Sequence, residues 1–286
     1  MSKTTAFTAC LITFNEEDNI EAALESIGFA DEIIVIDSHS SDRTRELALG
    51  FRGRSRDGRE IEPRVIERDW PGHVEQKNFA IDQAQHDWVF CLDADELISP
   101  RLRKEIETEL AADSPEFDGY TMPRKTYYLG RWILRGGWYP DRKLRLFRKS
   151  CGRWSGINPH DHVKVQGRTR NLQGDLYHFS YRDIADHLRT INSFTDIASK
   201  EKHKRRIRFP LARILIHPPY KFFKMYFFKQ GFREGIPGLI IAILGMFYVF
   251  LKYAKLWELK LQNRKKATED DYLTSGSFKD SPEEEA

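Results

Sequence analysis

Cysteine is scarce in this sequence. Its 286 residues include three, Cys10, Cys91 and Cys151, odd in number and widely spaced. Such a set offers neither a disulfide framework nor a zinc cluster, and it fits a reducing compartment. Cys10 and Cys91 lie within apolar runs, where a free thiol behaves as a small buried hydrophobe. A surplus of one charge is also missing. Lys and Arg number 46 against 43 Asp and Glu, the net charge is +3, and overall charge dictates no partner. Met1 to Thr5 carry no apolar segment of the signal-peptide kind, so the chain is expected to face the cytoplasm. No internal repeat is visible.

What is there, up to about Ala112, is strand followed by helix, repeated. Ala6 to Thr13 is an apolar run of strand formers, and Glu16 to Ile27 places Ile20, Ala23, Leu24 and Ile27 at helical spacing. Glu32 to Ile36 reads as a strand buried on both faces, and Ser41-Asp42 can cap a helix over Arg43 to Leu49. Phe51 to Glu62 reads as a Gly/Arg-rich loop, then come a short strand at Val65-Ile66, a helix over Val74 to Gln85 and a strand over Trp88 to Leu92. Ser99-Pro100 is a capping residue followed by proline, opening a helix to about Ala111. Continuous apolar strands alternating with helices predict an α/β fold: a mostly parallel sheet with helices on both faces. Its ligand is expected beyond the carboxyl ends of the strands.

Phe117 to Phe179 holds short aromatic and basic strands with Gly and Pro turns, which predicts an antiparallel extension over the site. Asp183 to Lys204 is expected to be helical, Pro210 to Trp257 is unusually apolar and aromatic, and residues beyond Asn263 read as a disordered polar tail. The expected division is a catalytic domain over 1–180, with a nucleotide half (6–112) and an acceptor half (113–180). A helical membrane-associating region (181–262) and the tail (263–286) follow.

Acidic residues stand where the ligand is expected. Asp93-Ala94-Asp95 follows a strand directly, and two carboxylates at i and i+2 on a turn can converge. Hard oxygen ligands there suit Mg²⁺ or Mn²⁺ bridging the phosphates of a nucleotide. Asp37 ends a second strand and can accept hydrogen bonds from a base or ribose. A third strand runs into Phe14-Asn15-Glu16, where Phe14 can lie against a nucleobase.

These blocks, in this order, resemble the family 2 glycosyltransferases of the GT-A (Rossmann-like) fold. The matching residues are Leu11 to Glu17, Ile34 to Thr44, Gly72 with Gln76 to Ala80, and Phe90 to Glu96. The resemblance implies that Asp37 contacts the uracil or ribose of a UDP-sugar and that Asp93 and Asp95 form the metal-binding DxD signature. Phe14, Asn15 and Glu16 belong to the donor side by the same reasoning. Lys77, where the family often has arginine, is a candidate contact to base or diphosphate.

Family members usually invert anomeric configuration through one general base, which must be ionised and reach the acceptor hydroxyl. Asn158 to Val163 is similar to the His-Glu element of the lipopolysaccharide-core subgroup, with Asp replacing Glu. Asp161 is therefore the candidate base, with Asp141 in reserve. His160 is a candidate to orient that base or touch phosphate, and His178 is a candidate third metal ligand. Phe222 to Tyr226, Gly231 to Gly235 and Lys252 to Glu258 also resemble that subgroup. This points to a lipid-linked glycan as acceptor.

The uncharged run Ile236 to Leu251 is shorter than the roughly 20 residues of a spanning helix. Aromatics mixed with lysines precede it (Tyr220 to Lys229), and a basic run lies upstream (Lys200 to Arg208). The expectation is a helix lying in the inner leaflet of the cytoplasmic membrane, on its cytoplasmic face, with a buried core helix as the alternative. No nucleic-acid reader motif accompanies the basic run, so nucleic acid is not an expected partner. Three other activities fit the sequence less well. A nucleotidyltransferase would carry a glycine-rich phosphate loop where this chain has Asn15-Glu16-Glu17-Asp18. A non-enzymatic membrane adaptor would have no need of three acidic strand ends, and a processive synthase would need several spanning helices.

Overall fold

The computed structural model describes residues 5–111, 116–156, 161–205 and 210–275. The first half alternates β1 (Phe7–Thr13), α1 (Ile20–Ile27), β2 (Glu32–Asp37) and α2 (Thr44–Gly50). A hairpin of β3 (Gly53–Arg54) and β4 (Glu60–Ile61) leads to β5 (Arg64–Glu67), α3 (His73–Gln83), β6 (Trp88–Asp93), β7 (Glu96–Ile98) and α4 (Pro100–Glu109). The strands β5, β2, β1 and β6 pair in that order, all parallel. Their side chains alternate between two cores. Phe7, Ala9, Leu11, Ile33, Val35 and Phe90 pack on α1 and α4, while Cys10, Ile12, Ile34, Ile36 and Val89 pack on α3. This is why the strands read as unbroken apolar runs: both faces are covered.

The second half holds β8 (Gly119–Tyr128), β9 (Arg131–Ile133), β10 (Asp141–Arg148), β11 (Gly152–Ser155), β12 (His162–Val165), β13 (Thr169–Asn171) and β14 (Leu176–His178). β10 joins β6 and β8 antiparallel, and β14 lies between β8 and β7. The result is a ten-stranded mixed sheet in which β5, β2, β1 and β6 form one parallel block, and β13 and β14 also pair parallel with β8. Parallel pairing needs a long crossover, so β8 meets β13 and β14 only after the chain has returned through β9 to β12, while short turns give the antiparallel β8–β9 and β11–β12 pairs.

Local signals largely fall where expected. The Ser99 hydroxyl accepts from Leu102 N at 3.2 Å and caps α4. Two segments differ. The stretch expected to be loop from Phe51 forms the β3–β4 hairpin, turned at Gly58 with φ +87°. The tail expected to be disordered from 263 is helical as far as Ser275. Residues 264–275 contain no Gly or Pro to stop the helix.

The C-terminal region comprises α5 (Ile184–Lys204), α6 (Pro210–Phe223), a π turn (Lys224–Phe228), a 3₁₀ turn (Gly231–Glu234) and α7 (Ile236–Ser275). Met225, Ile241 and Ala242 pack on Tyr128 and Ile133, which docks these helices against the β8–β9 hairpin. Buried Glu234 fastens the joint: its Oε1 accepts from Leu134 N at 3.0 Å, and its carbonyl accepts from Arg131 Nη1 at 3.1 Å. Glu234→Ala leaves the Leu134 N–H without its acceptor. It is expected to cost about 1–3 kcal/mol in denaturant unfolding; an unchanged midpoint would refute this role.

Candidate active site

The sheet register places the expected carboxylates together. Thr13 of β1 is level with Asp37 of β2, and Ile12 is level with Asp93 of β6. A cleft of about 420 Å³ opens beyond these strand ends, and Phe14, Glu16, Lys77, Asp93, Asp95, Asp161 and His178 all line it. Phe14 is 56% exposed at the cleft, as an aromatic available for stacking should be.

Asp37 and Asn15 do different work. Asp37 is fully buried and lies outside the cleft lining. Its two carboxylate oxygens accept from the Ser40 hydroxyl at 2.5 Å and the Ser40 amide at 2.9 Å. The Ser40 hydroxyl in turn accepts from Asn15 N, and Asn15 Oδ1 accepts from Ser41 N at 2.8 Å. Asn15 takes φ +54°, a conformation that asparagine tolerates. Together they lock the loops after β1 and β2 to one another and set the wall that carries Phe14 and Glu16. Burial raises the Glu16 carboxyl, against a hydrogen bond from Asn19 Nδ2 at 2.7 Å.

Under the cleft runs a chain of alternating charge. Lys77 Nζ lies 3.0 Å from Asp161 and 2.9 Å from Asp93. Arg145 Nη2 lies 2.6 Å from both Asp93 and Glu96. Arg124 continues to Glu96 at 3.4 Å and to Asp141 at 2.7 Å. Burial alone would raise the Asp93 carboxyl, but Arg145 and Lys77 outweigh it and hold Asp93 well below the usual carboxylate range. Burial likewise opposes the Lys77 charge, and Asp93 more than compensates. His73 is pushed down by burial and by Lys77.

Asp95 takes a different partner. Its Oδ2 lies 3.2 Å from His178 Nε2, across the β7–β14 pairing. Burial raises the Asp95 carboxyl, and His178 outweighs it to leave the group lowered. The three expected metal ligands therefore do not gather: among the described residues no three His, Cys, Asp or Glu side chains surround one point. Asp93 is occupied by two cations, which pair with it more favourably than a second carboxylate would. The Asp95–His178 spacing nevertheless fits two adjacent ligands of one ion, because octahedral bonds of about 2.1 Å place neighbouring donors roughly 3 Å apart.

The two base candidates separate. Asp161 faces the cleft beside Lys77. Asp141 lines a side crevice and is held by Arg124 and by Lys143 at 3.1 Å; burial raises its carboxyl, and these cations outweigh that and lower it. His160 lies outside the described residues.

Several residues beneath and around the cleft have no signal in the sequence. Arg145 is 3% exposed, and it points inward because the β10–β8 register shifts between Leu144 and Leu146. A bulge of this kind re-aims a side chain that strict alternation would send outward. Trp154 of β11 places its ring 4.2 Å from Lys77 Nζ and 5.3 Å from Arg145, and its Nε1 donates to Cys91 Sγ. Burial pushes the Cys91 thiol up to about 11, consistent with an inert core cysteine. Tyr181, Thr190 and Phe194 on the far rim are shared with an apolar pocket under α6 and α7.

Residues 8–229 match the model of the family described as Glycosyl transferase family 2. The lipopolysaccharide core biosynthesis glycosyltransferase LpsC of Rhizobium meliloti (strain 1021) is 30% identical over 252 residues, covering 87% of this chain and 91% of that protein. An uncharacterized glycosyltransferase of Rickettsia typhi is 30% identical over 274 residues, covering 92% and 90%. Among solved structures, S. aureus TarS 1-349 superposes with a TM-score of 0.45 at 15% identity, covering 91% of this chain and 92% of that one.

Proposed function

The chain belongs to glycosyl transferase family 2, and from that premise we propose that it is an inverting hexosyltransferase. In this reading it moves a sugar from a nucleotide-sugar donor, a UDP-hexose, to a hydroxyl of a lipid-linked glycan of the lipopolysaccharide inner-core class. The fold is GT-A, with the donor side formed by the ends of β1, β2 and β6. The observation that carries the reading is the convergence of Phe14, Lys77, Asp93, Asp95, Asp161 and His178 on one cleft.

Phe14 offers a face to the nucleobase, while Asp37 and Asn15 hold the loop that presents it. Asp161 accepts the proton of the acceptor hydroxyl as its oxygen attacks the anomeric carbon opposite the diphosphate. The bond to the diphosphate oxygen breaks and configuration inverts. Lys77 and Arg145 keep Asp93 ionised at the floor, and Lys77, bridging Asp93 and Asp161, positions the base. Asp95 and His178 would hold Mg²⁺ or Mn²⁺, which supplies charge stabilisation for the departing diphosphate. Lys77 is also close enough to the cleft to meet phosphate oxygens.

An acceptor anchored in lipid is supported by the helices beyond the rim. α7 is long and apolar enough to cross a membrane by length and composition, with a mean hydropathy of 1.9 over its most apolar window and a third of that window buried. Its outward stripe (Ile236, Leu239, Ile243, Phe247, Phe250 and Trp257) continues the exposed aromatics of α6 and the π turn. A helix lying in the cytoplasmic face of the membrane brings the cleft to a glycan presented there.

Calorimetric titration with UDP tests the donor side. Binding is expected to depend on Mn²⁺ and to weaken at least about 10-fold in Asp95→Asn, since even outer-shell changes at metal sites cost that much. Asp95 is preferable to Asp93 for this purpose because its loss strands no buried cation pair. If UDP, GDP and dTDP all give no heat with either metal, the transferase reading loses its donor.

A further inference from the structure

α6 is amphipathic in an inverted sense. Leu211, Leu215, Tyr220 and Phe223 form an exposed stripe, with Leu215 at 76%, and Phe227 and Phe228 of the π turn extend it, Phe228 at 77%. Arg213, His217 and Lys221, spaced at i, i+4 and i+8, share the opposite, less exposed side towards α7. A helix on a water-facing surface does the reverse.

Those cations meet others. Around the buried Tyr253 ring of α7 lie Lys252 Nζ at 5.3 Å, Lys202 Nζ of α5 at 5.6 Å and Arg213 Cζ at 5.9 Å, with the His217 ring edge-on at 5.2 Å. Lys252 Nζ is also 5.2 Å from the Tyr248 ring. Among the described residues no carboxylate pairs with Lys202, Arg213, Lys221 or Lys252. Asp196 and Glu201 of α5 are already engaged by Lys255 at 2.7 Å and Arg205 at 2.9 Å. One ring attracts a cation weakly, and it does not offset the mutual repulsion of three. The repulsion bears on the Lys252 amine, which burial, Lys202 and Lys221 push down to about 8. An anion from outside completes such a cluster.

We propose that the seam where α5, α6 and α7 meet binds the phosphate headgroup of an anionic phospholipid, whose chains lie along the exposed apolar stripes of α6 and α7. The inference rests on the membrane seating proposed above and adds a headgroup chemistry to it. A phospholipid, rather than a soluble phosphate, is indicated because the helices that carry the cluster also carry that uncovered apolar surface on their outer faces.

Co-sedimentation of the full chain with vesicles tests it. Vesicles of phosphatidylcholine alone are compared with vesicles in which part of the lipid is phosphatidylglycerol. The wild type is expected to prefer the anionic vesicles. The double variant Lys202→Gln/Lys252→Gln is expected to lose about tenfold or more of that partition, with binding to neutral vesicles unchanged. Its thermal midpoint should hold or rise, because repulsion is relieved. A control, Lys104→Gln/Lys164→Gln, removes the same charge from exposed catalytic-domain lysines and is expected to retain the preference. Equal losses in both variants would show diffuse attraction and overturn the site. Equal binding to both vesicle types, unaffected by either variant, would also overturn the site while leaving the membrane seating intact. No binding to any vesicle would remove the seating and the site together.

Discussion

Arg145→Met is expected to destabilise the folded protein by about 3–5 kcal/mol, the usual cost of breaking a buried ion pair from one side. The side chain is 3% exposed and its Nη2 is shared between Asp93 and the wholly buried Glu96 at 2.6 Å. Without it, two carboxylates face each other across the floor with Lys77 and Arg124 as their remaining cations. Methionine fills the volume but supplies no charge. Arg145→Lys should recover only part of the loss, because an ammonium lacks the planar fork that serves two carboxylates. Urea unfolding at neutral pH measures the difference, and a change below about 0.5 kcal/mol, the range of a neutral surface substitution, would sink the argument.

The same contact governs acid stability. The folded Asp93 carboxyl is held below its unfolded value, so over that interval the unfolded chain binds more protons. Its contribution is full above the unfolded value of about 3.9 and is lost as pH falls through the lower, folded value. Acid unfolding of the wild type should therefore steepen below about pH 4, and Arg145→Met should weaken that slope. The two effects together distinguish an electrostatic role for Arg145 from simple packing.

Asp161→Asn is expected to lower kcat by about 10²–10⁴-fold, the contribution of a positioned general base, with UDP affinity little changed. The amide keeps the shape of the carboxylate and loses only its ability to take a proton. Asp141→Asn should leave kcat far closer to wild type, since Asp141 lies in the side crevice, engaged by Arg124 and Lys143. The comparison is made in single-turnover transfer, so that product release does not mask the chemical step. A large kcat loss in Asp141→Asn with an active Asp161→Asn would exchange the two assignments.

How much of the site was readable depended on sequence distance. Phe14, Lys77, Asp93, Asp95 and Asp161 stand out in the chain, and all five line one cleft. Asp37 stands out too, yet its carboxylate is taken up by Ser40, three residues on. The motif reveals that an acid ends the strand, but not whether its oxygens point to a ligand or fold back into their own turn. Arg145 escaped notice among the basic residues of β10, because nothing in an alternating strand announces a register shift.

By itself the sequence determined the parallel half of the sheet and the edge that carries the chemistry. Strands covered on both faces must be apolar throughout, so polar residues can stand only beyond their ends, and Phe14, Asp37 and Asp93 mark three of those ends. Tertiary structure alone decided the partners. Asp93 meets Arg145 across 52 residues, Lys77 meets Asp161 across 84, and Asp95 meets His178 through the β7–β14 pairing. Contacts of that separation have no local signature. They are set by which strands pair, by a one-residue bulge and by the energy of pairing buried charges, and these exist only once the sheet has closed.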